Sequence, residues 1–234
     1  MSNETIYSRT ELMLGEDAVK RLKASHVAIF GIGGVGGFAT EALARAGVGE
    51  LTLVDSDKVS VSNINRQIIA THSSLGKNKT EAMKERIADI NPECSVHVYN
   101  TFYSEETCHL FPFEKFDYIV DCIDSVKSKI HLICAAKEKD INIISSMGAG
   151  NKLDPTRFRV QDISKTSMDP LAKVIRVELR KRGINHLKVV FSDEEPINPG
   201  KERTPGSISF VPSVVGLIMA GETIKDIILQ TKEN

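Results

Sequence analysis

The chain has 234 residues, a formal net charge of −1 and a hydrophobic content of 41%. That length and balance suit one α/β unit with a buried core, and they exclude binding to nucleic acid or membrane by overall charge alone. Its four cysteines, Cys94, Cys108, Cys122 and Cys134, include no C-x-x-C pair, which argues against structural zinc.

The opening stretch, MSNETIYSRTELMLG, has no signal-peptide core, so a cytosolic location is expected. The spacing then predicts a short buried strand over residues 27–30, a helix over 34–46 and a second strand over 50–55 that ends on a carboxylate. A helix is predicted over 77–90, stopping at Asn91-Pro92. Strands follow over 95–100 and 116–124, then a helix over 125–139 and a fifth strand over 141–146, with Cys122 and Cys134 in buried elements. This alternation predicts a Rossmann-like, doubly wound, mainly parallel sheet.

After Gly150 a strand (156–164), a helix (170–182) and another strand (187–192) form a short C-terminal α/β extension. Residues 192–207, SDEEPINPGKERTPGS, collect proline, glycine and charge and read as an exposed crossover loop. The final apolar run, 208–229, is interrupted by Glu222, Lys225 and Asp226 before it reaches the ~20 apolar residues a membrane span needs. It reads as a buried or subunit-facing helix. The whole chain, 1–234, is therefore taken as one domain, with a nucleotide-binding core over 1–150 and a substrate-side extension over 151–234.

Gly31, Gly33 and Gly36 form G-x-G-x-x-G, with Gly34 and Gly37 adding to it. Glycines there allow a tight turn and close approach to phosphate, and the following helix offers its N-terminus to negative charge. Asp55, at the end of the second strand, stands where a ribose-binding carboxylate belongs. These features predict a nucleotide but do not choose between a dinucleotide and ATP. Lys79 extends the apolar stripe of Met83, Ile87 and Ile90, so its ammonium is aimed at the ligand or bends out to solvent. Together with Arg66 it would supply the positive charge a triphosphate needs. Asp124 fits either a magnesium ligand between phosphates or a helix N-cap.

Taken in order, Gly31-x-Gly33-Gly34-x-Gly36, Asp55-x-Asp57, Asn63-x-x-Arg66-Gln67, Gly76-x-x-Lys79 and Asp121-Cys-Ile-Asp124 resemble the ThiF/HesA adenylating superfamily, which includes ubiquitin-activating enzymes and activators of sulfur-carrier proteins. YSRTELMLG, residues 7–15, also resembles that family's N-terminal segment. The resemblance implies ATP with Mg2+, attack of a substrate carboxylate on the α-phosphorus, and an acyl-adenylate. It implies that Asp55 binds ribose, with Asp57 beside it in the nucleotide site. Arg66 and Lys79 would hold phosphates, Asn63 would support them and Asp124 would bind the metal. Arg9 would reach the phosphates of another subunit, which implies a homodimer.

No cysteine follows Cys134, and a protein thioester needs a thiol after the adenylation core. SKTSMDPLAKVIRVELRKRG, MGAG and VVFSDEEP resemble the tRNA threonylcarbamoyladenosine dehydratase branch instead. That branch implies a modified tRNA substrate, cyclisation of the adenylated threonyl group, and a bound Na+ or K+. It leaves room for a sulfur-transfer protein partner. Lys173, Arg176 and Arg180, with Lys181 and Arg182, would form a cationic face for tRNA that Lys127, Lys129, Lys137 and Lys139 extend; a solvated helix face is the plainer reading. The alternatives are an activator of a sulfur-carrier or ubiquitin-like C-terminus, an NAD(P)-dependent oxidoreductase, and a silent nucleotide-binding scaffold.

Overall fold

The computed structural model describes residues 4–197 and 204–229. Two short helices, α1 (Ser8–Leu14) and α2 (Glu16–Lys23), precede an alternating series. It runs β1 (His26–Phe30), α3 (Gly36–Ala46), β2 (Glu50–Val54), α4 (Lys79–Ile90), β3 (Ser95–Tyr99), β4 (Tyr118–Asp121), α5 (Val126–Glu138) and β5 (Asn142–Ser146). The chain continues through β6 (Phe158–Asp162), α6 (Pro170–Arg180), β7 (Lys188–Ser192) and α7 (Phe210–Leu229).

The strands make one seven-stranded sheet in the order β3-β2-β1-β4-β5-β7-β6. All neighbours are parallel except β6 and β7. Both faces are covered, so the central strands carry apolar side chains on both sides. In β1, Val27 and Ile29 join Leu43, Leu51, Met83, Val215 and Met219 on one face. Ala28 and Phe30 join Ile133, Leu179 and Phe191 on the other. The two-residue period thus feeds two cores from one strand. The order reverses between β1 and β4, which makes their carboxyl ends a topological switch point. The register sets Phe30 opposite both Val54 and Asp121, so the ends of β1, β2 and β4 are level.

The C-terminal helix α7 lies across α3. A Cβ on Gly216 would meet the Val35 carbonyl oxygen at 2.3 Å, so only glycine permits this approach. The buried side chains of α7 include Val211, Val215, Met219 and Ile227, whereas Leu217 is half exposed. No described helix is long and apolar enough to cross a membrane.

The fourth strand ends at Asp121, three residues before the predicted boundary. There the Asp121 Oδ1 accepts the Ile123 N–H (3.1 Å) and turns the chain out of the sheet. Cys122 therefore lies just past β4, and it and Cys134 on α5 are partly buried side chains packed against the two cores. All four cysteines are free thiols. Residues 198–203 of the predicted crossover loop lie outside the described residues.

Candidate functional site

A cleft of about 530 Å³ opens at the carboxyl ends of β1, β2 and β4. That size falls in the range of small-molecule sites. The glycine loop forms its floor. Gly31 has φ +92°, and a Cβ there would meet the Cys122 carbonyl oxygen at 2.7 Å. A Cβ on Gly36 would fall 1.7 Å from the Gly31 carbonyl oxygen. The turn is thus too tight for any side chain at either position, and it delivers the N-terminus of α3 to the cleft. Gly33 and Gly34 line the opening between them.

Asp55 sits at the end of β2. Its Oδ2 accepts the Ile32 N–H (2.7 Å) and its Oδ1 accepts the Asp57 N–H (2.8 Å). Burial pushes its carboxyl above the usual range, opposed by the nearby Lys79 ammonium and these two backbone donors. The side chain is anchored by the glycine loop itself, at the sheet edge where a ribose would lie.

Lys79 is the first residue of α4. Its N–H donates to the Asp57 carbonyl (3.0 Å), and a bridge between Lys58 and Asn78 ties the helix start to the loop after β2. This clamp turns the lysine inward, where it is only 6% exposed. Its Nζ lies 2.7 Å from Asp57 Oδ2 and 3.8 Å from Asp55 Oδ1. The predicted inward aim is therefore observed, and the solvent-facing alternative is not. The ammonium is shared by two carboxylates, a neutralisation that the stripe on the helix could not reveal.

Asn63 is buried, and its Oδ1 accepts the Ser60 N–H (3.1 Å), which closes a tight helical turn. Arg66 lies on the cleft wall, with Nη1 donating to the Ser62 carbonyl (2.8 Å) and to Asn65 Oδ1 (2.9 Å). Gln67 is buried beside them, and its Oε1 has no partner among the described residues. A buried acceptor left open on a cleft wall is available to a ligand or water.

Asp124 lies on the opposite wall, exposed and without a hydrogen-bond or ion-pair partner among the described residues. It is not an N-cap: Ser125 occupies that position of α5, and no side chain caps there. Its free carboxylate suits a hard cation that also takes phosphate oxygens and water. No group of three or more His, Cys, Asp or Glu among the described residues could hold a metal alone. Cys122 also lines the cleft, but burial first, and then the Asp121 carboxylate, push its thiol far above the usual range. A neutral thiol is a poor nucleophile.

Arg9, expected to serve another subunit's site, is exposed on α1 and does not line this chain's own cleft. The predicted cationic surface differs. Lys129, assigned by sequence to a cationic surface, is fully buried and paired with Asp121 (2.8 Å). It projects inward from α5 because that helix face packs on the sheet, so it cannot meet a polyanion. On α6, Arg176 bends back to the Thr166 carbonyl (3.0 Å), and Lys181 and Arg182 pair with Glu178. Lys173 and Arg180 are left as exposed cations with no partner among the described residues.

Sequence reasoning missed the far wall. Asp169 is buried, its Oδ1 caps α6 through the Ala172 N–H (2.9 Å), and its Oδ2 accepts the Gly148 N–H (3.0 Å). Lys152 pairs with the same oxygen at 3.4 Å and reaches the Ser192 carbonyl. Asn151 has φ +58° and binds Gly206 both ways and Ile197 through its carbonyl. These contacts hold Ala149, Gly150 and Thr204–Ser207 at the cleft. Only the Asp-Pro start of α6 signalled part of this, as an N-cap followed by proline.

The ThiF family model matches residues 7–234. A tRNA threonylcarbamoyladenosine dehydratase of Bacillus subtilis (strain 168) is 49% identical over 239 residues, covering 95% of this chain and 94% of that protein. The enzyme of that name from Escherichia coli (strain K12) is 38% identical, over 85% of this chain and 77% of its own. The crystal structure of E. coli tRNA N6-threonylcarbamoyladenosine dehydratase in complex with ATP superposes with a TM-score of 0.89 at 36% identity, covering 95% of this chain and 93% of that one. With its glycine loop, the Asp55 carboxylate and the inward Lys79 gathered at one switch point, and with the family model matched over nearly its whole length, this chain belongs to the ThiF family.

Proposed function

We propose that this chain is an ATP-dependent tRNA threonylcarbamoyladenosine dehydratase. The observation that carries the reading is the convergence of the Gly31–Gly36 loop, Asp55, Lys79, Arg66, Asn63 and Asp124 on one cleft, in a chain alike over nearly its whole length to enzymes of that name. Asp55 holds the ribose of ATP, and the N-terminus of α3 faces the phosphates. The threonyl carboxylate of the modified adenosine attacks the α-phosphorus, and pyrophosphate departs toward Lys79 and Arg66. The carbamoyl group of the same nucleoside then attacks the activated acyl carbon and expels AMP. Well-oriented attack within one molecule reaches effective molarities of about 10⁵–10⁸ M, so no enzyme nucleophile is needed. The neutral Cys122 thiol agrees with that.

Asp124 is the residue that would hold Mg2+, which when bound would neutralise charge on the phosphates. Among the described residues, the charged side chains lining the cleft are Asp55, Asp57 and Asp124 against Arg66 and Lys79, a net excess of one negative charge. A triphosphate therefore needs positive charge from outside this set. A metal at Asp124 and Arg9 of a second copy would both supply it. In support of the second copy, α1 buries none of its residues and leaves Leu12 and Met13 more than 80% exposed. The tRNA substrate implies a cytoplasmic location.

The test is to incubate the protein with ATP, Mg2+ and tRNA carrying threonylcarbamoyladenosine, then digest to nucleosides and measure mass. Loss of one water from that nucleoside, with AMP formed in step, is the expected result. Pyrophosphate exchange that instead requires a protein ending in Gly-Gly would replace this reading with the activator reading. A molybdopterin-synthase adenylyltransferase of Haemophilus influenzae, 34% identical over 68% of this chain, makes that the rival worth testing.

A further inference from the structure

Beneath the cleft lies a charged cluster that the reaction does not touch. Asp121, Lys129 and Ser145 come from β4, α5 and β5, and all are 0% exposed. Lys129 Nζ donates to Asp121 Oδ2 (2.8 Å) and to Ser145 Oγ (3.1 Å). Ser145 Oγ in turn donates to Asp121 Oδ2 (2.5 Å). The other oxygen, Oδ1, accepts the Ile123 N–H (3.1 Å). Among the described residues both oxygens of the carboxylate are thus partnered, and its orientation is set from α5, from β5 and from the turn that follows its own strand.

Stability alone does not explain the pair. Taking both charges out of water is costly, and well-packed apolar residues in such places are often as stable or more so. What the cluster does uniquely is hold Oδ1 where it captures Ile123 N–H, one residue before Asp124. No side chain grips Asp124 itself among the described residues, so the turn from Asp121 is what determines where its carboxylate stands. We propose that Asp121, through the hydrogen bond its Oδ1 accepts from the Ile123 N–H, is a positioning residue that places Asp124 for the cation of the ATP complex. The inference rests on the reading that Asp124 holds that cation.

Removing one charge would strand the other and risk unfolding, so both are replaced together. Asp121→Asn with Lys129→Met leaves a neutral core and keeps a carbonyl oxygen for Ile123 N–H. Asp121→Leu with Lys129→Met leaves a neutral core without that acceptor. The affinity of Mn2+ for each protein with ATP bound is read by electron paramagnetic resonance. The Asn/Met pair should stay within about twofold of the parent. The Leu/Met pair should bind Mn2+ about tenfold more weakly, which corresponds to the ~1.4 kcal/mol scale of one hydrogen bond. Equal affinities in the two pairs, whether both unchanged or both weakened, overturn the inference. Asp124→Asn separates the two levels. If it leaves Mn2+ affinity unchanged, the cation reading fails and takes this inference with it. If it weakens binding while the Leu/Met pair does not, the positioning role alone fails.

Discussion

Replacing Lys79 by methionine separates a phosphate-binding role from a structural one. The ammonium lies 3.8 Å from Asp55, whose side chain is 10% exposed, and 2.7 Å from Asp57, whose side chain is 67% exposed. At an effective dielectric near 20, the Asp55 attraction is roughly 4 kcal/mol. The exposed Asp57 adds at most about 1 kcal/mol. Against this stands the several kcal/mol of desolvation that a buried ammonium costs and a methionine does not. The two nearly cancel, and Asp55 keeps its two backbone donors. Stability should therefore change by about 1 kcal/mol, a melting shift of roughly 2–4 °C for a chain of this size. Catalysis has no such compensation. Loss of a charged donor to the departing pyrophosphate should lower kcat by about 10²–10³. AMP release from ATP and modified tRNA is followed beside a thermal melt. Turnover within fivefold of the parent would refute the phosphate role. A melting drop beyond 10 °C (roughly 3 kcal/mol or more) would show that the lysine chiefly neutralises the two carboxylates.

Gly216→Ala forces a methyl against the Val35 carbonyl at the start of α3, so it should cost about 1–3 kcal/mol in urea unfolding; an unchanged midpoint would mean that α7 slides freely. Glu41 is raised by burial but pulled below the usual carboxylate range overall by hydrogen bonds from Arg86 and Arg45. Its contribution is present above the ordinary glutamate pKa and is lost as pH falls through its depressed value. Glu41→Gln should therefore be less stable at neutral pH and should lose less on acidification, and parallel stability-pH curves would contradict this. Lys173→Glu with Arg180→Glu should weaken tRNA binding and flatten its salt dependence without altering ATP affinity, whereas unchanged tRNA binding removes α6 from the interface. Arg9→Ala and Lys79→Met, each inactive alone, should recover about a quarter of parental activity when mixed and allowed to exchange, because mixed dimers then hold one intact site. No recovery in mixtures whose subunits demonstrably exchange would deny Arg9 its role across the interface.

Sequence alone settled what depends on neighbours along the chain. The strand-helix alternation, the glycine turn and the inward stripe of α4 are local patterns with fixed periods, and each was found within a few residues of its predicted bounds. The Asp55 placement followed, because a strand end carries its side chain to the carboxyl edge of a parallel sheet, whereas the aim of Lys79 was decided only by the structure. What needed the tertiary structure was partnership between residues far apart in sequence. A lysine on a helix looks the same to the periodicity whether it faces solvent or a carboxylate beneath it. Lys129 lies eight residues from Asp121, and only the packing of α5 on β4 and β5 shows that the two neutralise each other in the core. The same holds for Lys152 with Asp169, and for Asn151 with Gly206, 55 positions away. Charge pairing is decided by distance through low-dielectric space, and that distance exists only once the sheet has brought separate strands side by side.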